Sequence, residues 1–251
     1  MGEILEIKEL VEAYLQELPP LSEPVVLEGS VVKYIDHTLL KPEATPAQIE
    51  VLCLEAIKYQ FASVCTNPLF VTMVAQKLNG SGVKTCVVAG FPLGAVPTAV
   101  KVAETLMYIQ LGAEEVDMVL PIGLLKSGLY EQVFEDIRQV AAAAHAGKAL
   151  LKVIIETSLL DRREKIAACL LAKEAGANFI KTSTGFSSRG ATIEDVGLMR
   201  RIVGPVEQMG VKASGGVRSL ADARAMLQVG ANRLGSSSGV KIAIEELQEA
   251  K

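Results

Sequence analysis

The strongest constraint on this chain is a rhythm in which eight short apolar runs are each followed by a segment of helical spacing. The runs are VVKYIDHTLL (31–40), FASVCTN (61–67), KTCVVAGF (84–91), EEVDMVL (114–120), ALLKVIIET (149–157), NFIKTSTG (178–185), GVKASGG (210–216) and NRLGSSS (232–238). The helix-period segments are 45–59, 69–78, 97–111, 131–146, 161–175, 192–203, 219–229 and a last one at 240–249. Strict alternation of this kind implies a parallel sheet with helical crossovers. Eight such units in 251 residues match a closed barrel, which typically takes about 250. An open doubly wound sheet would show a G-x-G-x-x-G turn after its first strand; here that turn reads HTLLKPEAT. The expected fold is therefore α/β, a TIM (β/α)8 barrel.

Local signals agree with that rhythm. Thr45, Asp161, Thr192 and Ser219 stand where helix N-caps belong, and each type can accept a hydrogen bond from a free N–H of the first turn. Gly112-Ala113, Gly176-Ala177 and Gly230-Ala231 stand where left-handed C-caps end a helix. Residues 3–18 read as an extra amphipathic N-terminal helix, cut off from the barrel by Pro19, Pro20 and Pro24. The expected organisation is one barrel domain at 30–251 with a helical extension at 1–29 that covers the N-terminal mouth or a partner subunit.

Half the residues are hydrophobic, and the net charge is −4. With no basic cluster, neither nucleic acid nor an anionic membrane is an expected partner. No apolar run reaches the roughly 18–20 residues of a membrane span. The first 18 residues, rich in acidic groups, lack the basic and apolar regions of a signal peptide. Cys53, Cys65, Cys86 and Cys169 are widely spaced, as free thiols in a reducing cytoplasm would be. His37 and His145 are too few and too distant for a metal site, and His37 reads as a packed or capping residue. No metal or cofactor is expected.

In a barrel of this kind the chemistry sits at the C-terminal ends of the strands. The polar residues near those ends are Asp36 and Thr38, Cys65, Asp117, Lys152 and Glu156, Lys181, Lys212, and the serines of the last strand. Three lysines inside apolar strands are the oddity, because a buried ammonium is costly to desolvate. An uncharged lysine amine attacks carbonyls to form an imine, and Lys181 and Lys212 lie on consecutive strands, close enough to affect one another. Asp117 can balance charge and relay protons. One such lysine would read as a structural ion pair with Asp117 or Glu156; three, with carboxylates facing them, favour chemistry. Periodicity does not choose among Lys152, Lys181 and Lys212 for the nucleophile.

A phosphate site is the second signal. Barrels often hold phosphate on the loops after strands seven and eight, which here read SGGV (214–217) and LGSSSG (234–239). Gly215, Gly216 and Gly235 open the backbone, Ser237 and Ser238 offer hydroxyls, and Arg218 and Arg189 lie in loops at the same mouth. Thr182, Ser183, Thr184 and Gly185 follow Lys181 and are placed to meet substrate hydroxyls, or to form a turn. These residues leave open an imine-forming aldolase or transaldolase, an isomerase or synthase using acid–base groups alone, and a phosphosugar-binding protein without turnover.

Taken in order, YIDHTLLKP, SVCTNP, VVAGFPLG, EVDMVLPIG, LKVIIET, FIKTSTGF, VKASGGVR and LGSSSG resemble the deoxyribose-phosphate aldolase family over nearly all of 30–250. The resemblance implies a class I aldolase in deoxyribose phosphate catabolism. Such an enzyme splits 2-deoxy-D-ribose 5-phosphate reversibly into acetaldehyde and D-glyceraldehyde 3-phosphate. It implies that Lys181 forms the imine, Lys212 is the neighbouring ammonium, Asp117 shares in proton transfer, and Lys152 belongs to the same polar network. Asp36, Thr38 and Cys65 match residues lining the family's pocket. Some members carry a lysine after K-T-S-T-G that approaches the phosphate, and here Phe186 stands there. The phosphate is then left to backbone amides, Ser237 and Ser238, with Arg218 or Arg189. The apolar helices and the N-terminal extension suit a homodimer or homotetramer.

Overall fold

The computed structural model describes residues 2–21 and 29–249. Its strands are β1 (Ile35–Leu39), β2 (Ser63–Thr66), β3 (Lys84–Ala89), β4 (Glu115–Val119), β5 (Leu150–Ile154), β6 (Phe179–Lys181), β7 (Gly210–Ser214) and β8 (Arg233–Ser236). They pair in parallel and in sequence order, and β8 pairs with β1 to close the barrel. The helices are α1 (Gly2–Gln16), α2 (Pro46–Tyr59), α3 (Val71–Leu78), α4 (Thr98–Gln110), α5 (Ile122–Lys126), α6 (Tyr130–Ala146), α7 (Arg162–Glu174), α8 (Ile193–Val203), α9 (Leu220–Gln228) and α10 (Gly239–Glu249).

The expected helix starts hold. Thr45 with Gln48, Asp161 with Glu164 and Ser219 with Asp222 form reciprocal capping boxes, and Thr192 accepts from the N–H of Asp195. Gly112, Gly176 and Gly230 all have positive φ, as the C-cap reading required. The short helix α5 is an addition to the sequence reading. At five residues it is too short to show a helical period, and it begins directly after Pro121.

Alternation along the strands sorts the residues into two populations. Val64, Val87, Val116, Leu151, Val153, Ile180, Val211 and Leu234 join the large apolar core shared with the helices. A separate small cluster of Leu40, Cys65, Cys86 and Val88, with Phe91 against it, lies apart from that core. Because successive strand side chains take opposite faces, residues two apart from these belong to the barrel interior. That interior is apolar and thiol-bearing toward β2 and β3, and charged elsewhere. All four cysteines are buried and free, and none of the described helices is long and apolar enough to cross a membrane.

The N-terminal helix differs from expectation in its placement. It packs along α7, burying Ile7 and Val11, and Glu12 pairs with Arg163, whose Nη2 lies 2.9 Å from Glu12 Oε2. Arg201 of α8 donates to the carbonyls of Pro19 and Leu18 at 2.6 and 3.1 Å. The extension therefore straps the outer helices of its own chain. An amphipathic stripe shows that a helix needs a partner surface, but does not say which one. Pro24 lies outside the described residues.

Asp161 is an exposed N-cap whose side chain accepts from Glu164 N–H at 2.8 Å. Replacing it with Ala should cost about 1 kcal/mol. In a barrel of this size that lowers the melting temperature by about 2–4 °C without changing turnover, as thermal denaturation and a rate assay on Asp161→Ala would show.

Candidate active site

Register brings the strand charges into one layer. Asp117 of β4 stands beside Lys152 of β5, Lys181 of β6 beside Lys212 of β7, and Lys212 beside Arg233 of β8. Asp117 is the hub. Its Oδ2 accepts from Lys181 Nζ and from Lys212 Nζ, each at 2.7 Å, and its Oδ1 accepts from Lys152 Nζ at 2.7 Å. Cys86 Sγ donates to the same Oδ1 at 3.3 Å. Lys152 also pairs with Glu115 at 2.6 Å, and Lys212 with Asp36. Arg233 bridges Asp36 at 2.7 Å and Glu115 at 3.1 Å. Four basic side chains thus face three carboxylates.

Asp36, Asp117, Lys152 and Lys212 are fully buried and Lys181 is 2% exposed. Burial alone would raise Asp117, but Lys152, Lys181 and Lys212 outweigh it and hold the carboxyl well below its usual range. Burial likewise opposes the ionised form of Asp36, and Arg233 and Lys212 overcome it. Burial would lower Lys152 and Lys212; Asp117 overcomes it for both, with further help from Cys86 and Glu115 for Lys152 and from Asp36 for Lys212, so both sit above the ordinary lysine value. Lys212 therefore rests as an ammonium, the form that has a proton to donate. Two triplets, Cys65–Cys86–Asp117 and Asp36–Cys86–Glu115, bring possible metal-ligating atoms close together, but the lysine ammoniums and the Arg233 guanidinium already supply the cations these carboxylates need.

Above the cluster opens a cavity of about 350 Å³, and Lys181 is the member of the cluster that reaches it. Its walls come from the ends of β1, β6, β7 and β8: Thr38 to Lys41, Thr184 to Phe186, Ser214 to Arg218, and Gly235 to Ser237. Gly215 and Gly216 both take left-handed backbone conformations, with φ of 82° and 86°, and a Cβ on Gly215 would come within 2.9 Å of Gly190. A Cβ on Gly235 would lie 2.3 Å from Ser214 Oγ and 3.3 Å from Lys212 Cε. The glycine there gives these two β7 side chains their space.

Of the residues expected to bind substrate, Thr38, Thr184, Gly185, Gly215, Gly216, Arg218, Gly235 and Ser237 line the cavity with Lys181. Asp36 and Lys152 do not; they lie in the buried cluster, where their charges are consumed by neighbours. Asp117 and Lys212 share that layer. Cys65 is also off the lining, fully buried in the small inner apolar cluster. Ser238 stands at the start of α10, its N–H on Ser236 Oγ at 2.9 Å. Arg189 is drawn to Asp195 at 3.4 Å, away from the cavity. His37 is packed, bonding Glu55 at 2.8 Å and lying 5.0 Å from the Phe61 ring.

Sequence reasoning missed Glu115, Cys86 and Arg233 in the cluster and Lys41 and Ser214 on the cavity. A signal existed for two of them: Glu115 lies two residues before Asp117, hence on the same strand face, and Arg233 is a charge inside the last strand. Lys41 follows a strand end and carries no such mark. Its backbone carbonyl accepts from Ala44 N–H at 3.1 Å, while Asn67 bonds the preceding carbonyl of Leu40 at 3.1 Å.

A family model for DeoC/LacD family aldolases matches residues 30–244. The chain belongs to this family of aldolases. A curated relative from Halalkalibacterium halodurans, named deoxyribose-phosphate aldolase, is 58% identical over 224 residues, covering 89% of this chain and 99% of the relative. A solved structure from Coccidioides immitis is 43% identical and superposes with a TM-score of 0.89, covering 96% of this chain and 97% of that one. A deoxyribose phosphate aldolase from Aeropyrum pernix, described as a tetramer, is 34% identical with a TM-score of 0.79, over 88% of this aldolase and 92% of that chain.

The charges of the cluster make the stability of this aldolase depend on pH at both extremes. The unfolded reference values are about 3.9 for Asp and 10.4 for Lys. Asp36 and Asp117 are depressed in the fold, so their contribution is present above about pH 3.9 and drains away as pH falls toward the folded values. Lys152 and Lys212 are raised, so theirs is present below about pH 10.4 and lost as pH climbs toward the folded values. The melting temperature should show a plateau between these limits and fall on both sides; a level value from about pH 3 to pH 11 would contradict the charge assignment.

Proposed function

We propose that this chain is a class I aldolase that splits 2-deoxy-D-ribose 5-phosphate reversibly into D-glyceraldehyde 3-phosphate and acetaldehyde through an imine on Lys181. One observation carries the reading: of three lysines sharing one buried carboxylate, Lys181 alone is exposed to the cavity. Imine formation needs an uncharged amine. With Lys152, Lys212 and Arg233 charged against three carboxylates, the cluster is electrically balanced without a proton on Lys181.

The Lys181 amine adds to the substrate aldehyde carbon to give a carbinolamine. An ammonium of the cluster protonates the departing hydroxyl, and water leaves an iminium. Lys212, sharing Asp117 Oδ2 with Lys181, is the donor placed for this. The new iminium carries positive charge, so it takes the place of the charge Lys212 gives up and the balance is kept. The uncharged Lys212 amine then takes the proton of the C3 hydroxyl through a water molecule. The C2–C3 bond breaks, its electron pair enters the iminium, and glyceraldehyde 3-phosphate is released. The remaining enamine takes a proton at carbon, and water hydrolyses the resulting imine to acetaldehyde and free Lys181. Asp117 holds the two lysines together throughout. Asp36 and Lys152 act beside them in the same buried layer, keeping Lys212 and Asp117 in place.

The phosphate sits at the outer part of the cavity, against the backbone of Gly215, Gly216 and Gly235 and the hydroxyl of Ser237, with Arg218 and Lys41 as its cations. Thr38, Thr184 and Gly185 meet the sugar portion. The barrel is one catalytic domain with its N-terminal strap, working as a homodimer or homotetramer in the cytoplasm, where its four free thiols stay reduced. The Aeropyrum pernix tetramer supports the assembly.

Borohydride with acetaldehyde should fix a reduced two-carbon adduct on Lys181, read by peptide mass spectrometry, and Lys181→Ala should give neither adduct nor turnover. Lys212→Leu should lower turnover by a factor on the order of 10²–10⁴, the range for a lost proton-transfer group. Lys41→Ala and Arg218→Ala should each raise KM for the phosphorylated sugar about ten-fold or more, as expected for one charged hydrogen bond, and leave KM for 2-deoxyribose itself nearly unchanged. Equal effects on both sugars would remove these two cations from the phosphate site.

A further inference from the structure

Glu156 is an outlier that the proposed reaction does not use. It follows β5 and takes a left-handed conformation, φ 53° and ψ 66°, which a residue with a side chain adopts at a cost in strain. Its carboxylate is 3% exposed. Oε2 accepts from the N–H of Thr184 at 3.2 Å and from the Thr184 hydroxyl. Thr184 Oγ1 accepts in turn from the N–H of Phe186 at 3.0 Å. Oε1 is buried without a hydrogen-bond partner in the protein. Thr184, Gly185 and Phe186 are cavity wall, whereas Glu156 is not.

The same two loops are joined at two further points. Thr157 N–H donates to Thr182 O at 2.9 Å, and Ser158 Oγ bonds Ser187 Oγ at 2.9 Å. Beneath them, Ile155 N–H donates to the carbonyl of Lys181 at 3.0 Å. The loop after β5 therefore braces the loop after β6 from the side away from substrate. A carboxylate confined in a buried, strained position with one oxygen unpartnered is an expensive way to close a turn that neutral groups already stitch. Such arrangements gather where geometry matters to function.

We infer that Glu156 is a positioning residue for substrate specificity: through Thr184 it fixes the wall formed by residues 184–186 at the distance the phosphosugar requires. It does not act on the amine. Lys181 is held by Asp117 and its strand, so adduct formation with a two-carbon aldehyde, which needs little of the wall, is independent of Glu156. This role rests on the imine reading of Lys181, which the wild-type trapping experiment tests by itself.

The test uses Glu156→Gly, which suits the left-handed backbone and removes the acceptor, and Glu156→Gln, which keeps an acceptor oxygen. Glu156→Gly should raise KM for 2-deoxyribose 5-phosphate about ten-fold, the scale of one charged hydrogen bond. The rate of borohydride-trapped acetaldehyde adduct on Lys181 should stay within about two-fold of wild type, the effect being confined to the wall. Glu156→Gln should recover most of the loss. Thr184→Val, made separately, should show the same KM shift, and the double variant Glu156→Gly/Thr184→Val should add little, because the two side chains act as one unit. An unchanged KM in Glu156→Gly, trapping that falls in step with KM, or additive effects in the double variant would each overturn the assignment. If wild type itself gives no adduct on Lys181, the imine reading falls first and this inference with it.

Discussion

The carboxylate of Asp117 is the interaction on which the interior of this barrel depends. Three lysine side chains reach it from three strands. Lys152 and Lys212 have Glu115 and Asp36 as second partners, whereas Lys181 pairs with Asp117, and an unpaired buried charge costs several kcal/mol even after relaxation. The converse also holds: without the lysines, the aspartate could not stay ionised at zero exposure. Folding and assembly of the reactive layer are therefore one event. The register that closes the barrel also aligns Asp117 with Lys152 and Lys181 with Lys212.

Arg233 and Glu115 extend this logic one step deeper. Arg233 ties Asp36 to Glu115, and these two carboxylates hold Lys212 and Lys152 from below. The network is anchored on all sides except the one facing the cavity, where Lys181 stands. An amine that must form and break a covalent bond in each turnover is placed at the open end, and its neighbours stay still. Preorganised charges of this kind need no rearrangement as charge develops on the reacting group.

Much of this could be read from the chain before any coordinates. The eight runs, their helices and the caps at Thr45, Asp161, Thr192 and Ser219 follow from local rules, and local rules suffice for a barrel because each strand pairs with its sequence neighbour. Lys152, Lys181 and Lys212 stood out because a charge in an apolar strand violates a strong expectation. What stayed hidden depends on distance across the fold. The depth of Asp36 and Lys152 below the cavity follows from the tilt and stagger of the barrel, and no single strand encodes that. Cys65 was placed on the right strand face but too deep, in the thiol and valine corner with Cys86 and Val88. The seat of α1 on α7 was invisible because an apolar stripe does not name its partner. Lys41 was missed because a lysine in a loop looks like any solvated charge until the cavity beside it is seen.

The cavity draws on the ends of β1, β6, β7 and β8, so about half the rim takes no direct part in lining it. Of the remaining connections, the one after β5 braces the wall from behind, and the one after β3 leans on it through Phe91, whose ring meets Phe186 edge-on at 5.4 Å. An inherited barrel with this division has one sector bound by its chemistry and another free to drift. New acceptor preferences can be grafted through the aromatic seam between Phe91 and Phe186 while the amine and its carboxylate remain as they are. The descendants of such a scaffold would differ in what they admit and agree in how they cut.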